Sequence, residues 1–428
     1  MKKLSTKDLN FQAELASIRE WQADSDIEVL PIVRGILDAV RRDGDAAVLA
    51  YTQKFDRHPA TCMADLEFDR DKLEQALERI SPKAREALEF AVTRLTEYAA
   101  YQKIQSFEYV DSDGNTLGQR VTPIDRAGLY APGGLAAYPS SVLMNVIPAK
   151  VAGVDECVMV SPMPGGKVSD MTLAAAAVAG VDRVFTIGGA QAIAAMAYGT
   201  ESIPAVDKIT GPGNIWVATA KRLVFGTVGI DMFAGPSEVL VIADETANPD
   251  WVAMDMFAQA EHDAQAQAVL LSTNTEFTQK VLASIERLLP SMARADIIRQ
   301  SLMGRGVVID VADIDEAVAI SNDLAPEHLE IAMDSAEDVV GRITHAGAIF
   351  VGHYSAEAMG DYCAGPNHVL PTARNARFAS SLGVYDFQKR SSIIHCNQQG
   401  AKAIAQRAET LGYLEGLNAH ALSAAYRK

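Results

Sequence analysis

Apolar residues recur every three or four positions through much of the first hundred residues, which is the spacing of helices that bury one face. This spacing predicts helices over 27–42 and 71–101, separated by a turn-rich stretch at 55–64. After position 107 the pattern changes to short apolar runs that alternate with helical segments. The predicted strands are 126–130, 156–161, 183–187, 238–243, 267–271, 307–311 and 348–351. This alternation is typical of βαβ units, so we predict an α/β fold with two doubly wound parallel sheets.

The last part of the chain differs again, beginning at about position 382. Residues 401–428 are rich in alanine and predict a helical segment that is broken at Gly416. A segment with so few large hydrophobic residues cannot form a core of its own. We therefore expect it to pack on another domain or, preferably, on another subunit.

Composition limits the classes of protein and of partner. The 428 residues suffice for two or three domains, and 49% hydrophobic with 22% charged residues is a globular composition. The formal net charge of −17 argues against nucleic acid or an anionic membrane as a partner. The four cysteines are widely spaced, and the N-terminus lacks an apolar secretory segment, so we expect a cytoplasmic protein.

Gln259 and His262 form the first candidate half-site. They are three residues apart near the end of a predicted helix, so their side chains share one face. A carboxamide oxygen and an imidazole can bind a divalent metal such as zinc, although such a pair is more often a solvated helix face. Further side chains that could complete a metal or substrate site follow later in the chain: Asp361, His368, Glu415 and His420.

Glu327 and His328 are candidates for acid–base chemistry. Pro326 predicts that a helix starts here, and a solvent-facing helix end is the ordinary alternative. Histidine titrates near neutrality and suits general-base work, and a glutamate in a drier pocket can activate a water. Cys157, within a strand-like run, is expected in the core. Cys363 is a better placed thiol for aldehyde chemistry, but a small buried filler is the more usual role.

Glycine clusters at 132–134, 188–191 and 211–214 stand where predicted strands pass into helical segments. Each could receive a dinucleotide phosphate or ribose, or could simply form a tight turn. None fits the G-x-G-x-x-G fingerprint. Ser237, in a similar cluster, could bind substrate or cap a turn.

Taken together in order, these segments resemble histidinol dehydrogenase from about residue 20 to the C-terminus. The matching strings are GLYAPGG (128–134), YPSS (138–141), GGAQ (188–191), GPGN (211–214), AGPSE (234–238), QAEHD (259–263), APEHLE (325–330), GDY (360–362), GPNHVLPT (365–372) and EGLNAH (415–420). The resemblance implies oxidation of L-histidinol to L-histidine through an aldehyde in two NAD-dependent steps, the last steps of histidine biosynthesis.

The resemblance also implies roles for individual residues. One zinc ion per subunit would be held by Gln259, His262, Asp361 and His420, and the imidazole and amine of the substrate would complete its shell. His328 would take the hydroxyl proton, and Glu327 would activate water for attack on the aldehyde. The implied substrate contacts are Ser237, Gln259, His262, His328, Asp361, His368, Glu415 and His420. The implied NAD contacts are Tyr130, Gln191 and Asn214.

The implied fold has two incomplete Rossmann-like domains with helical N- and C-terminal extensions in an intertwined homodimer. The predicted boundaries are an N-terminal helical extension at 1–25, a first domain with metal and catalytic residues at 26–129 plus 238–381, a second domain with NAD contacts at 130–237, and a tail at 382–428. The tail would cross over, so that Glu415 and His420 serve the partner's site.

Three alternatives to this function are considered. A related zinc and NAD dehydrogenase could act on another small alcohol such as a sulfonated diol, but Glu415 and His368 suit a cationic, imidazole-bearing substrate better. A zinc hydrolase would leave the glycine turns without a purpose. A non-catalytic binding protein would not need the acid–base residues.

Overall fold

The computed structural model describes residues 1–19, 26–133, 138–232 and 235–428, and for residues 26–28 it describes the backbone only. Gly134 and Ala234, which belong to predicted glycine turns, lie outside the described residues. The strands are β1 (Lys2–Ser5), β2 (Glu67–Phe68), β3 (Phe107–Val110), β4 (Thr116–Pro123), β5 (Arg126–Tyr130), β6 (Glu156–Val160), β7 (Arg183–Phe185), β8 (Lys208–Thr210), β9 (Gly229–Ile230), β10 (Glu238–Ala243), β11 (Gln267–Ser272), β12 (Val307–Asp310), β13 (His328–Ala332), β14 (Ala348–Val351) and β15 (Gln388–His395).

The helices lie between and after these strands. They are α1 (Phe11–Arg19), α2 (Asp26–Asp56), α3 (Arg70–Arg79), α4 (Pro82–Ala100), α5 (Pro139–Ala152), α6 (Asp170–Ala179), α7 (Gly189–Tyr198), α8 (Ile215–Val224), α9 (Pro249–Ala260), α10 (Thr275–Leu288), α11 (Ala295–Gly304), α12 (Ile314–Leu324), α13 (Ala336–Val340), α14 (Glu357–Tyr362), α15 (Gln398–Leu414) and α16 (Asn418–Ala425). Among the described residues, no helix is both long and apolar enough to cross a bilayer.

The first sheet has the strand order β1-β12-β11-β10-β13-β14, and its paired strands are all parallel. Every residue of β10 and β11 is buried, as expected for parallel strands covered on both faces. Alternate side chains of β10 enter opposite cores, with Leu240 packing on one side and Val239 on the other.

The second sheet has the order β2-β7-β6-β5-β8-β9 and is parallel except for its antiparallel edge strand β2. It also has a core on each face. Leu129 and Met159 pack in one core, while Tyr130 and Val158 pack in the other. The predicted α/β architecture with two parallel sheets is confirmed.

The packing of the N-terminal third corrects the predicted domain organisation. Residues 26–129 were grouped with the first sheet, but the apolar faces of α2, α3 and α4 pack against the second sheet. β5 is an inner strand of the second sheet, so the predicted boundary at 129 falls inside a strand. The predicted N-terminal helical extension also differs, because it begins with β1, which pairs with β12 at the edge of the first sheet. An edge strand of four residues carries too short a pattern to be recognised.

A third sheet, antiparallel and in the order β15-β4-β3, connects to the C-terminal segment. The predicted break at Gly416 is confirmed, because α15 and α16 form a hairpin in which this glycine adopts a positive φ of 73°. Many apolar side chains of the hairpin are exposed in the single chain, including Leu414 at 78% and Tyr426 at 84%.

Candidate active site and dinucleotide cavity

Glu327 and His328 lie at the amino end of an inner strand, not at the start of a helix as predicted. α12 ends before Ala325, whose positive φ of 48° closes the helix, and Pro326 follows that end. Pro326 therefore does mark a helix boundary, but it follows the end of a helix and does not start one. Only 6% of Glu327 and 4% of His328 is exposed, so the solvent-facing alternative is also wrong.

The backbone of Glu238 holds both residues in place. Its amide donates to Oε2 of Glu327 over 2.9 Å, and its carbonyl oxygen lies 3.1 Å from Nδ1 of His328. The Gln259 carboxamide lies 3.2 Å from the same nitrogen. A carbonyl can only accept, so the contact with Glu238 requires a proton on Nδ1. The Gln259 atom that faces the same nitrogen is the amide Nε2, a donor, so this protonation fits Gln259 only with its carboxamide turned to present the oxygen. Nε2 of His328 is buried, has no hydrogen-bond partner among the described residues, and lies 3.6 Å from Oδ1 of Asp361.

The protonation of these groups is shifted by burial and by mutual charge. Burial raises the pKa of Glu327 to about 7, against the opposing charge of His328. Burial disfavours the charged form of His328, but Glu357, Glu327 and Asp361 outweigh that cost and raise its pKa well above the ordinary value. A carboxyl whose pKa lies near neutrality beside an imidazole that favours its protonated form is a pair suited to acid–base work.

Three further carboxyl groups next to His328 were missed by the sequence analysis. Glu357 is 1% exposed, with Oε1 3.9 Å from His328 Nδ1 and a buried Oε2 that has no hydrogen-bond partner among the described residues. Its amide donates to Oε1 of Glu330 over 2.7 Å, and Glu330 in turn contacts Asp255. Burial raises the pKa of Glu357 to about 8 and that of Asp255 to about 6.

A signal for two of them was present in the chain. Glu330 is two residues after His328, so both lie on one face of β13 once that segment is recognised as a strand. Glu357 is one helical turn before Asp361 on α14, a segment for which no helix is predicted above. Glu330 and Glu357 were therefore missed because the strand and the helix that carry them were not predicted.

The donor set fits a zinc ion. Gln259 is 1% exposed in the last turn of α9, His262 lies just beyond that helix, and Asp361 lies on α14. Desolvation lowers the pKa of His262, although the residue is exposed in the single chain. For Asp361 burial opposes ionisation, but the nearby His328 outweighs it and lowers the pKa. A neutral imidazole and a carboxylate are the forms that bind metals.

Ligand-competent atoms also converge on this point. One oxygen each from Glu357 and Asp361 and a nitrogen of His328 all lie within 4.8 Å of one another. The orphaned buried atoms, Nε2 of His328 and Oε2 of Glu357, indicate that this site is built to receive a polar ligand or a cation.

The remaining predicted substrate residues are placed differently. Nδ1 of His368 donates to the Asp361 carbonyl over 2.7 Å, and burial lowers the pKa of His368. Ser237 is half-buried directly before β10 and next to Glu238. Glu415 and His420 are both exposed on the C-terminal hairpin, and within the described chain no hydrogen bond or ion pair joins either residue to the site around His328.

The predicted dinucleotide contacts line one cavity of about 570 Å³ at the carboxyl ends of strands in the second sheet. Tyr130 ends β5, and its hydroxyl accepts a hydrogen bond from the Gly189 amide over 3.2 Å. Gln191 is 1% exposed in the first turn of α7, and Asn214 caps the N-terminus of α8. Desolvation raises the pKa of Tyr130 to about 12, so its hydroxyl stays protonated at neutral pH.

The turn at Gly211 is fixed from both sides. A Cβ at this position would lie 2.0 Å from the Tyr130 carbonyl oxygen, and φ is +113°, so glycine is required. The Gly211 amide donates to Asp231 over 2.8 Å, and its carbonyl accepts from Lys221 over 3.0 Å. Lys221 and Asp231 also form a buried ion pair. The glycine cluster at 211–214 is thus a tight turn that also connects the predicted NAD contacts Tyr130 and Asn214.

Two parallel α/β sheets, a buried imidazole beside zinc-competent donors and a cavity of dinucleotide size define a metal- and dinucleotide-dependent oxidoreductase. Comparison with known proteins identifies the family. The histidinol dehydrogenase family model matches residues 19–428. The chain is 58% identical over 427 residues to histidinol dehydrogenase of Pseudomonas aeruginosa (strain PAO1), covering 100% of this chain and 97% of the relative. It is 55% identical over 427 residues to that of Dechloromonas aromatica (strain RCB), covering 100% and 99%.

A solved structure agrees with this result. The crystal structure of histidinol dehydrogenase from Elizabethkingia anophelis has a TM-score of 0.94 at 34% identity, covering 100% of this chain and 98% of that one. The chain belongs to the histidinol dehydrogenase family, which oxidises histidinol to histidine with NAD in histidine biosynthesis and uses zinc. The predicted resemblance, reaction and cofactors are confirmed, and the comparisons favour none of the three alternatives.

Proposed function

We propose that His328 and Glu327 carry the proton transfers of both oxidation steps. In the first, Nε2 of His328 takes the hydroxyl proton of histidinol while a hydride passes from the carbinol carbon to the nicotinamide of NAD. The products are the aldehyde, NADH and a proton that later leaves for solvent. The observation that carries this assignment is the buried Nε2 of His328, which has no hydrogen-bond partner among the described residues. His328 accepts the proton in its neutral form, which the positive charge of a zinc ion bound at Asp361 would favour over the imidazolium.

Glu327 acts between the two hydride transfers. Its pKa of about 7 lets the carboxylate accept a proton from water as the water oxygen attacks the aldehyde carbon. The resulting hydrate loses a second hydride to a second NAD, and His328 takes the hydroxyl proton again. The sum is one histidinol, one water and two NAD giving histidine, two NADH and three protons.

The zinc ion would be held by Gln259, His262, Asp361 and His420 of the partner subunit. When bound, it supplies a fixed positive charge that orients the imidazole and amine of the substrate. His368 offers its Nε2 to the substrate because Nδ1 is used by the Asp361 carbonyl. Ser237 of the same subunit and Glu415 of the partner subunit complete the substrate contacts. Tyr130, Gln191 and Asn214 bind NAD.

A homodimer with shared sites is proposed from the C-terminal hairpin. Glu415 and His420 are exposed in the single chain, and so are apolar residues of the same hairpin and of the third sheet, such as Leu414, Tyr109 and Ile394. Exposed apolar surface of this kind is typical of an interface. We propose that residues 382–428 cross to the partner, and that the metal and NAD regions form separate domains.

A cytoplasmic location without nucleic-acid or membrane partners is also proposed. The four free cysteines support it, because a reducing compartment keeps thiols unpaired, and the net charge of −17 disfavours polyanionic partners.

The test of the reaction is a count of NADH formed per L-histidinol consumed by the purified zinc-loaded protein. Two NADH are expected. Turnover of another diol with no activity on histidinol would contradict the proposal. Site sharing is tested by mixing His420→Ala subunits with His262→Ala subunits, which regain activity if one intact site forms across the interface. Demonstrated subunit exchange without regained activity would mean that each tail serves its own site.

A further inference from the structure

Asp56, the last residue of α2, has a buried oxygen with no use inside the protein. The residue is half-buried, and its Oδ2 has no hydrogen-bond partner among the described residues. Burial raises the pKa of this carboxyl. An acceptor removed from water without a donor costs free energy unless a ligand supplies the donor. Arg57, with a positive φ of 51°, is exposed and turns the chain away, so the carboxyl group stands at the end of the helix.

Asp56 lines the same cavity of about 570 Å³ as Tyr130, Gln191 and Asn214. Asp56 is close enough to Tyr130 for its charge to add to the burial that raises the pKa of the tyrosine hydroxyl. Asp56 therefore borders the region in which the dinucleotide is proposed to bind, and a ligand donor reaches its shielded Oδ2 when the carboxyl group turns toward the cavity.

The cavity suits the adenosine half of the dinucleotide. Its lining includes none of Glu327, His328 and Asp361, whereas the nicotinamide must reach the carbon that reacts beside His328. The walls instead offer Phe55, Trp216 and Ile32, flat or apolar surfaces on which a purine can lie. The first turn of α7 beyond Gly189, whose own amide donates to Tyr130, can provide backbone amides for the pyrophosphate.

We propose that Asp56 accepts hydrogen bonds from the ribose hydroxyls of the adenosine half and thereby selects NAD over NADP. The proposal rests on the placement of the dinucleotide in this cavity. A vicinal diol supplies the donors that a carboxylate lacks here, and an acidic residue performs this task in other dinucleotide folds. A 2′-phosphate would instead set a second negative charge against Asp56 in a partly desolvated site.

Lys54 does not offset this charge. It lines the cavity, but it is exposed and its Nζ lies 5.3 Å from the centre of the Phe55 ring. Among the ion pairs of the described residues, none joins Lys54 to Asp56. Asp56 therefore borders the cavity without an ion-pair partner among the described residues.

The experiment measures binding of NAD, NADP and the analogue of NAD with 2′-deoxyadenosine to the wild-type protein and to two variants, by protein fluorescence. In the wild type, loss of the 2′-hydroxyl weakens binding about tenfold, the size expected for a hydrogen bond to a charged acceptor. Asp56→Ala binds NAD and the deoxy analogue equally.

Asp56→Asn, which removes the charge, shifts the NAD-to-NADP preference by about 10²-fold toward NADP. Asp38→Asn, exposed on the same helix, is the charge-matched control.

Several results would overturn the inference. Equal wild-type affinity for NAD and its deoxy analogue does so without any variant. Equal losses for NAD and NADP in both variants would show that Asp56 only supports the end of the helix. Wild-type protein that binds zinc but no dinucleotide would overturn the placement itself, which separates failure of the proposed function from failure of the assignment to Asp56.

Discussion

The two functional regions lie at opposite ends of their sheets and handle charge in opposite ways. The acid–base region stands at the amino ends of β10 and β13, where several buried or half-buried carboxyls surround the imidazole of His328. The dinucleotide cavity stands at the carboxyl ends of β5, β7 and β8, the usual place in parallel sheets, and is formed largely by glycine turns and apolar walls. The first region is therefore tuned by side-chain charge, and the second by backbone shape.

The largest effect is expected at the centre of the charge-tuned region. Replacing His328 by alanine removes the proposed base and should lower kcat by about 10³-fold, within the range of general acid–base catalysis. Zinc content, measured by atomic absorption, should not change, because His328 is not a proposed ligand. His353→Ala, an ion-paired histidine outside both regions, is the control and should keep wild-type activity. Loss of zinc from the His328 variant would mean that this residue is a ligand.

In the shape-tuned region, the matching experiment removes the buried ion pair behind Gly211. Lys221→Met leaves Asp231 buried without its partner and should reduce the free energy of unfolding by about 3 kcal/mol. NAD binding should weaken while zinc binding is kept, because the Gly211 turn lies beside Tyr130 and Asn214. Urea unfolding and NADH fluorescence measure the two effects. A variant with normal stability but weakened zinc binding would contradict the separation of the regions.

Glu327→Gln should divide the reaction into its two halves. The first hydride transfer stays, and the second slows by about 10²-fold because no carboxylate activates the water. Rapid mixing should then give one NADH per site, followed by a slow second. In the wild type, the rate of the second hydride transfer should fall as pH falls through about 7, because Glu327 becomes protonated. That pH dependence should be absent in the variant. Equal slowing of both steps would assign Glu327 to the first transfer as well.

The comparison also explains what the sequence could and could not predict. Seven strands of the two parallel sheets carry apolar runs that local pattern detects, and β10 was predicted with its observed limits, Glu238–Ala243. The short strands β1, β2, β8 and β9 were not predicted. β13 was missed although His328, Leu329, Glu330 and Ile331 alternate polar and apolar residues as a strand does, because Pro326 was interpreted as the start of a helix. Glu330 was missed for the same reason. Whether Glu415 and His420 reach a site depends on a second chain, which no local pattern records.

The smallest effect is expected on the free energy of unfolding, which the buried carboxyls of the charge-tuned region reduce. Burial raises the pKa of Glu330, and that of Asp255 to about 6, so the folded state holds protons that the unfolded chain releases near pH 4. This contribution to stability is fully present below the unfolded pKa and is lost as pH rises through the folded pKa. Glu330→Gln keeps an acceptor for the Glu357 amide and should add about 1 kcal/mol to the free energy of unfolding at about pH 8, and less at about pH 5. Glu286→Gln, exposed on α10, should change neither value. A loss of stability at both pH values would mean that the Glu330 charge supports the fold, and that the carboxyl cluster is held together by ionic contacts instead of shared protons.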